Sequence, residues 1–175
     1  MDKFLQKGFW HQFGAAIDML DNALLACPEE FWEASLWNDP EMGPKFSKFW
    51  YVAYHTLFWL DLYLTGFVEN FMPPSPFSLD ELDPSGLLPE RVYSHLELRN
   101  FLSFCRNKCF KIIISLSEER SKELCKFPWG ELSFFELLLD NMRHIQEHGA
   151  QLNMFLGQQN GISNRWVARP VLELK

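Results

Sequence analysis

The sequence predicts an all-α protein, a four-helix bundle whose helices are joined by long crossover loops. Four long segments carry apolar residues at helical spacing, no segment shows a convincing strand alternation, and two connections are too long for tight turns. The chain has 175 residues, of which 47% are hydrophobic. We therefore expect one domain over residues 1–175, with a C-terminal tail at 159–175.

Charge, hydropathy and cysteine content argue against several classes of protein. The formal net charge of -7 opposes a nucleic-acid partner, because phosphate binding requires a basic surface. No apolar run reaches the roughly 18 residues of a membrane span, and residues 1–6 do not resemble a signal peptide. We expect a cytoplasmic protein without membrane association, whose 4 cysteines are reduced thiols.

The first predicted helix covers residues 2–26. Its buried face is marked by apolar residues at helical spacing, namely Phe9, Phe13, Ala16, Ile17, Leu20 and Leu24. His11 lies on the other side of the helix with Lys7, Asp18 and Asn22, so we expect this histidine to be solvated. The helix should end at Cys27, because the residue before a proline is displaced from the α region.

Three connections separate the predicted helices. Residues 28–45 contain turn signals at 28, 38–40 and 43–44, and their Trp32 and Trp37 either pack on the end of the bundle or line a ligand pocket. Residues 69–89 are rich in Pro, Asp and Ser and should cross over the bundle or cover one end. Residues 117–132 are polar and then turn at 128–130.

The second predicted helix covers residues 47–66, with Ser47 as its N-cap. His55 lies on its apolar side, close on the helical projection to Val52, Trp59 and Leu62. A histidine in this position must find a hydrogen-bond partner or bind a metal ion, because a bare buried imidazole is costly.

The third predicted helix covers residues 89–116 and carries no strong candidate ligand. One side of it should be solvated and bears His95, Arg99 and Arg106. Cys105 and Cys109 are four residues apart, but no second pair follows at zinc-finger spacing. We interpret them as ordinary buried cysteines.

The fourth predicted helix runs through residues 136–156 and contains the most informative pattern. Ser133 and Glu136 form a capping-box signature at its start, and Gly157 and Gly161 mark its end. His144 and His148 are four residues apart and therefore share one face. Leu137 and Phe155 fall within about 20° of that face, so the two histidines interrupt a core-facing apolar stripe. Asp140 and Gln151 flank the pair and could support it.

With one core-facing histidine on the second helix and two on the fourth, the sequence resembles the DinB/YfiT-like superfamily of metal-dependent enzymes. The fourth helix of that family carries a motif close to N-H-E-x-H-H-x-G-Q, of which His144, His148 and Gln151 match. The other fixed positions of the motif differ here and are occupied by Arg143, Ile145, Glu147 and Ala150. The approach through residues 129–133 also resembles the family.

The resemblance implies a divalent metal ion bound by His55, His144 and His148. Three neutral imidazoles suit Zn²⁺, Ni²⁺, Fe²⁺ or Mn²⁺ and leave coordination positions open, as in catalytic sites. Some relatives are transferases that use a low-molecular-weight thiol, and others are assigned as hydrolases, so both reactions stay open and the substrate is not indicated. Asp140, then Glu147, are the candidates for a general base, and Asp140 could instead orient a ligand histidine.

A non-enzymatic interpretation also stays open. The histidines would then bind metal for stability or not at all, and the bundle would be a binding or dimerisation module. The opposite face of the fourth helix is also apolar, with Phe135, Leu139 and Met142, and we expect it to form a homodimer interface or to be covered by further packing. An open cleft above the histidines would favour an enzyme, whereas a site sealed by aromatic residues would favour a structural role.

Overall fold

The computed structural model describes residues 2–38, 40, 43, 45–162 and 164–172. Over these residues the protein is largely all-α, as the sequence predicts. Its helices are α1 (Lys3–Ala26), α2 (Phe49–Thr65), α3 (His95–Ser115), α4 (Glu118–Lys122) and α5 (Phe134–Asn160). An antiparallel hairpin of β1 (Leu124–Phe127) and β2 (Gly130–Ser133) precedes α5. No helix among the described residues is long and apolar enough to cross a membrane.

The four long helices enclose one aromatic core. Helices α1 and α2 each pack against both α3 and α5. The largest fully buried side chains come from all four helices and include Trp10, Phe13, Tyr54, Phe58, Phe101 and Phe134. Burying a side chain of this size contributes about 1.5–3 kcal/mol, so these aromatic residues contribute strongly to holding the helices together.

The start of α5 was predicted correctly. The Oγ of Ser133 accepts a hydrogen bond from the backbone N–H of Glu136, and the Glu136 carboxylate accepts one from the N–H of Ser133. The helix continues without interruption to Asn160 and ends at Gly161, whose φ of 73° is left-handed and suits glycine. One rigid helix of 27 residues therefore carries both His144 and His148.

The predicted starts of α2 and α3 were wrong by a few residues. Helix α2 begins at Phe49 with Lys48 at the N-cap position, and the predicted cap Ser47 is buried. Helix α3 begins at His95, because Ser94 and Glu97 form a reciprocal capping box. Residues 89–93 belong to the preceding loop instead, and Ser94 is the N-cap of α3.

The expectation of no strand was also wrong. In β1 the side chains of Cys125 and Phe127 are buried, whereas those of Leu124 and Lys126 are exposed. The strands have four residues each, too few for this alternation to stand out in the sequence. Trp129 in the turn stacks on Phe127, with ring centroids 5.4 Å apart.

The predicted solvated faces of α1 and α3 in fact meet. Asp18 is only 4% exposed, and its Oδ1 accepts a hydrogen bond of 2.9 Å from Nε of Arg106. The same guanidinium donates through Nη2 to Asp21. His95 stacks on Trp32, with ring centroids 3.6 Å apart, and is only partly exposed. The polar residues on these faces bind one another across the helix pair.

The tail packs against α1 over its described part. The N–H of Val171 donates to Asp18, the indole of Trp10 donates to the carbonyl of Leu172, and Pro170 lies against Gly14. The final residues of the predicted tail, 173–175, lie outside the described residues, as do parts of the predicted turns at 38–40 and 43–44.

All 4 cysteines are free and buried, as expected for reduced thiols. Burial raises the pKa of both Cys105 and Cys109 well above the ordinary thiol value. These two cysteines are therefore inert core residues at neutral pH, which agrees with the interpretation from the sequence.

Candidate metal centre

Three histidines meet between α2 and α5. His55 comes from α2, and His144 and His148 come from successive turns of α5. The ring centroid of His55 lies 5.2 Å from the centroid of His144 and 5.2 Å from that of His148. The centroids of His144 and His148 lie 4.5 Å apart. One nitrogen from each ring lies within 4.8 Å of the others, close enough to bind one metal ion together.

One separation between these nitrogen atoms matches that of a metal site. Nitrogen ligands bind Zn²⁺ at about 2.0–2.1 Å, which places two ligand nitrogens about 2.8–3.4 Å apart for coordination angles of about 90–109°. The Nε2 atoms of His55 and His144 are 3.3 Å apart and already meet this spacing. A ring rotation that draws in the third nitrogen would complete the set.

A carboxylate that sequence reasoning missed fixes the orientation of His55. Glu81 lies in a 3₁₀ turn, Asp80–Leu82, within the long loop between α2 and α3. Its Oε2 accepts a hydrogen bond of 2.7 Å from Nδ1 of His55. Carboxylates hold metal-binding histidines in this way and fix the tautomer, so Nε2 of His55 keeps its lone pair for a ligand.

Two aromatic residues hold Glu81 in this position. The hydroxyl of Tyr51 donates to Oε1 at 2.5 Å, and the indole N–H of Trp59 donates to Oε2 at 2.9 Å. Tyr51, His55 and Trp59 are spaced four residues apart along α2, so their donors lie on one face of the helix. This spacing was visible in the sequence and indicates a shared acceptor, although it does not identify the loop residue that supplies it.

The Glu81 carboxylate is charged although its side chain is only 5% exposed. Burial alone would raise its pKa, but the interactions with His55, Tyr51 and Trp59 outweigh burial and lower it. The pKa of Tyr51 is raised by burial and by the neighbouring Glu81. Tyr51 therefore stays a neutral donor.

Gln151 orients the ring of His148 as Glu81 orients that of His55. Its side-chain oxygen lies 2.7 Å from Nδ1 of His148, so with the amide assigned in this orientation the ring donates through Nδ1 and offers Nε2 to a ligand. The expectation that Gln151 supports the pair is consistent with this contact. Burial, followed by the charge of His55, lowers the pKa of His148, and the Gln151 contact opposes this.

His144 is the most buried of the three rings. Burial first, then repulsion from His148 and His55, lowers its pKa to about 2, so the ring is neutral at physiological pH. Its Nδ1 is buried without a hydrogen-bond partner among the described residues. His144 is thus ready to bind a metal ion without losing a proton, but it has no outer partner like those of His55 and His148.

A cavity of about 400 Å³ opens beside the histidines. His55 and His148 form part of its wall, and the side chain of His55 is 30% exposed. Trp37 lines this cavity, whereas Trp32 is buried and donates to the carbonyl of Tyr93. Of the two roles predicted for these tryptophans, lining a pocket therefore applies to Trp37 and packing within the protein applies to Trp32.

Neither of the two predicted general bases is among the described residues that line the cavity. Asp140 accepts a hydrogen bond of 3.4 Å from Arg143 on the exposed side of α5. Glu147 is exposed, and its charge favours the protonated form of the adjacent His148. Their catalytic roles stay predictions. His11 and His95 do not belong to the described three-histidine group.

The residues present fit a divalent metal ion. The donor set is three imidazole nitrogens, two of them with oriented lone pairs, beside a cavity that leaves room for further ligands.

In comparisons with known proteins, the chain matches no family model, no curated protein and no solved structure.

Proposed function

We propose that the protein is a metal-dependent enzyme that binds one divalent ion, Zn²⁺, Ni²⁺, Fe²⁺ or Mn²⁺, through Nε2 of His55, His144 and His148. The observation that carries this proposal is that two of the three grouped histidines, His55 and His148, line an open cavity. A purely structural metal site is usually closed by a fourth protein ligand. Here the histidine group is instead next to space for a substrate.

The architecture that we propose is a DinB/YfiT-like four-helix bundle formed by α1, α2, α3 and α5. The packing of α1 and α2 against both other long helices supports it. The loop from α2 to α3 spans 66–94 and is long enough for a crossover. In this arrangement the metal site joins the middle of α2 to the middle of α5.

Each part of the site has a role in the proposed chemistry. Bound metal would act as a Lewis acid that lowers the pKa of a water or of a low-molecular-weight thiol, as in a hydrolase or a thiol-dependent transferase. Glu81 orients His55 and adds negative charge, and Gln151 orients His148. The aromatic wall of the cavity limits water access and holds the apolar part of the substrate.

The non-catalytic alternative predicts a different arrangement. A bundle stabilised by buried histidines would have its imidazoles sealed by side chains, whereas His55 is partly exposed to the cavity. The apolar back of α5 is partly covered within the chain, since Phe135 contacts Phe9 of α1 with centroids 5.4 Å apart. Homodimerisation through this face stays a prediction that light scattering can check.

Elemental analysis tests the metal site. Protein purified without a histidine tag or chelator should contain about one metal ion per chain, and a His144→Ala, His148→Ala double variant should contain almost none. His11→Ala removes a histidine outside the group and should leave the metal content unchanged. Absence of metal from the wild type, even after addition of Zn²⁺ or Ni²⁺, would refute the proposal. Activity assays with thiol, ester and amide substrates follow a positive result.

A further inference from the structure

We propose that the cavity beside the histidines selects a small organic cation, an amine or quaternary ammonium compound with an apolar body. The inference rests on the proposed function in taking this cavity as the substrate pocket. It adds the class of substrate, which the three histidines alone do not indicate. The argument depends on which side chains form the cavity wall.

Aromatic side chains form much of that wall. Trp37 and Phe46 come from the connection between α1 and α2, and Tyr51 and Trp59 come from α2. Aromatic rings attract cations through their negative faces, and they bind apolar groups by burial. A wall of four such rings suits a ligand that combines both properties.

The charged groups in the wall are acidic. Asp80, Glu81 and Asp83 line the cavity, and no lysine or arginine is among its lining residues within the described part of the chain. Glu81 accepts hydrogen bonds from three donors on α2. Among the described residues, the side chains of Asp80 and Asp83 accept hydrogen bonds from Ser78 and Ser85 and form no ion pair. Two further carboxylates thus face a ligand without a protein cation beside them in the wall.

Two basic residues outside the wall are engaged elsewhere. Lys48, at the start of α2, pairs with Glu33, and Arg91 pairs with Glu97 through two hydrogen bonds. An anionic ligand would therefore meet repulsion in the cavity, apart from whatever attraction a bound metal supplies. A cationic ligand would neutralise the charges of Asp80 and Asp83. A donor atom at the other end of the ligand would then lie on the side of the cavity formed by the histidines.

The size of the cavity sets the scale of the ligand. Small-molecule pockets have volumes of about 300–1,000 Å³, and this cavity of about 400 Å³ lies near the lower end. It has room for a single ring or short chain with an ammonium group.

The test is a calorimetric titration of metal-free, full-length protein with benzyltrimethylammonium. Benzyl alcohol and phenylmethanesulfonate serve as the neutral and anionic comparison ligands. We expect the cation to bind at least about tenfold more tightly than either, and its affinity to fall as salt is raised. Equal binding of the neutral ligand would overturn the proposal.

Variants locate the binding site. Asp80→Asn and Asp83→Asn should each weaken binding of the cation about fivefold, and Trp37→Leu should have an effect of similar size. Glu90→Gln removes an exposed carboxylate of the same loop outside the cavity wall and should have no effect. Unchanged affinity in the Asp80→Asn, Asp83→Asn double variant would refute the proposal. Trp37 lies at the surface, so its variant gives a second test if the double variant fails to fold.

The two proposals can fail separately. If the wild type holds metal but the metal-free protein shows no preference for the cation, the metal site stands and the proposed substrate class is wrong. If the cation binds with the expected dependence on Asp80 and Asp83 but no metal is found, the cavity is a binding site for organic cations and the metal-dependent enzyme is refuted.

Discussion

Glu81 and His55 form the contact that links the long loop between α2 and α3 to the candidate metal centre. The carboxylate Oε2 lies 2.7 Å from Nδ1 of His55, and Tyr51 and Trp59 hold the carboxylate from either side along α2. The same loop supplies Asp80 and Asp83 to the cavity. A change in the loop should therefore affect both the metal site and the ligand site.

The first prediction concerns Glu81→Gln. The amide keeps the size of the side chain but removes the charged acceptor that holds Nδ1 of His55. We expect metal affinity to fall about 10–100-fold, measured by competition with a chromophoric chelator. Glu90→Gln is the matched control. Equal affinities of the Glu81 variant and the wild type would show that the carboxylate does not support a ligand.

The second prediction concerns acid stability of the metal-free protein. His144 has an ordinary pKa of 6.5 when unfolded and about 2 when folded, so below pH 6.5 the unfolded chain binds a proton that the folded chain does not. The contribution of His144 to stability is therefore nearly constant above pH 6.5 and falls by up to about 1.4 kcal/mol per pH unit below it. The lowered pKa of His148 adds a loss of the same sign over this range. The lowered pKa of Glu81 adds a further loss only below about its ordinary value of 4.5.

Urea unfolding in the presence of a chelator at pH 7.5, 6.5 and 5.5 measures this dependence. His144→Gln should reduce the slope between pH 6.5 and 5.5 and leave the part due to His148, whereas His11→Gln should keep the slope of the wild type. A wild-type stability that does not change over this interval would contradict a buried neutral imidazole at position 144.

The third prediction compares two glycines of α1. A Cβ at Gly14 would lie 2.7 Å from Cβ of Pro170 and 2.9 Å from the indole of Trp10, whereas a Cβ at Gly8 meets nothing within 4 Å. Alanine normally stabilises a helix interior by about 0.5–1 kcal/mol relative to glycine. Gly8→Ala should be stabilising by this amount, and Gly14→Ala should cost about 1–3 kcal/mol because the tail must move.

Thermal unfolding of both variants checks the comparison. Limited proteolysis of Gly14→Ala should also cut the tail near Arg169 faster than in the wild type, since Pro170 no longer seats on α1. Equal stability of the two alanine variants would show that the tail does not pack there in solution.

Periodicity predicted the parts of the site that lie on helices. His55, His144 and His148 interrupt apolar stripes, and the structure brings these three residues together. Gln151 was found by the same reasoning, because it lies one turn beyond His148 on the same helix. A regular helix fixes the direction of each side chain, so sequence spacing is enough to place these four residues.

Periodicity could not locate residues whose partners come from elsewhere in the fold. Glu81 belongs to a loop without regular spacing, so its approach to His55 depends on the path of the whole connection. Asp18 was assigned to a solvated face because its helix is polar there, and the partner Arg106 lies on a helix whose polar face was also assigned to solvent. Two polar faces can pack on each other when their charges pair, and sequence patterns alone do not distinguish this from exposure.

The last prediction concerns the ion pair between α2 and α3. Nζ of Lys108 lies 2.5 Å from Oδ1 of Asp61 and also donates to Thr65, and Asp61 is 1% exposed. Burial raises the pKa of Asp61 despite the opposing charge of Lys108. Lys108→Met would leave a buried carboxylate without its cation, and we expect a loss of about 3 kcal/mol, measured by urea unfolding at pH 7.

The double variant separates lost pairing from lost packing. Asp61→Asn combined with Lys108→Met removes both charges and should recover most of the lost stability, to within about 1 kcal/mol of the wild type. Lys111→Met is the control for replacing an exposed lysine on α3 and should change stability by less than about 0.5 kcal/mol. If Lys108→Met lowers the free energy of unfolding no more than Lys111→Met does, the buried Asp61 carboxylate is satisfied without Lys108. The ion pair then does not stabilise the packing of α2 against α3.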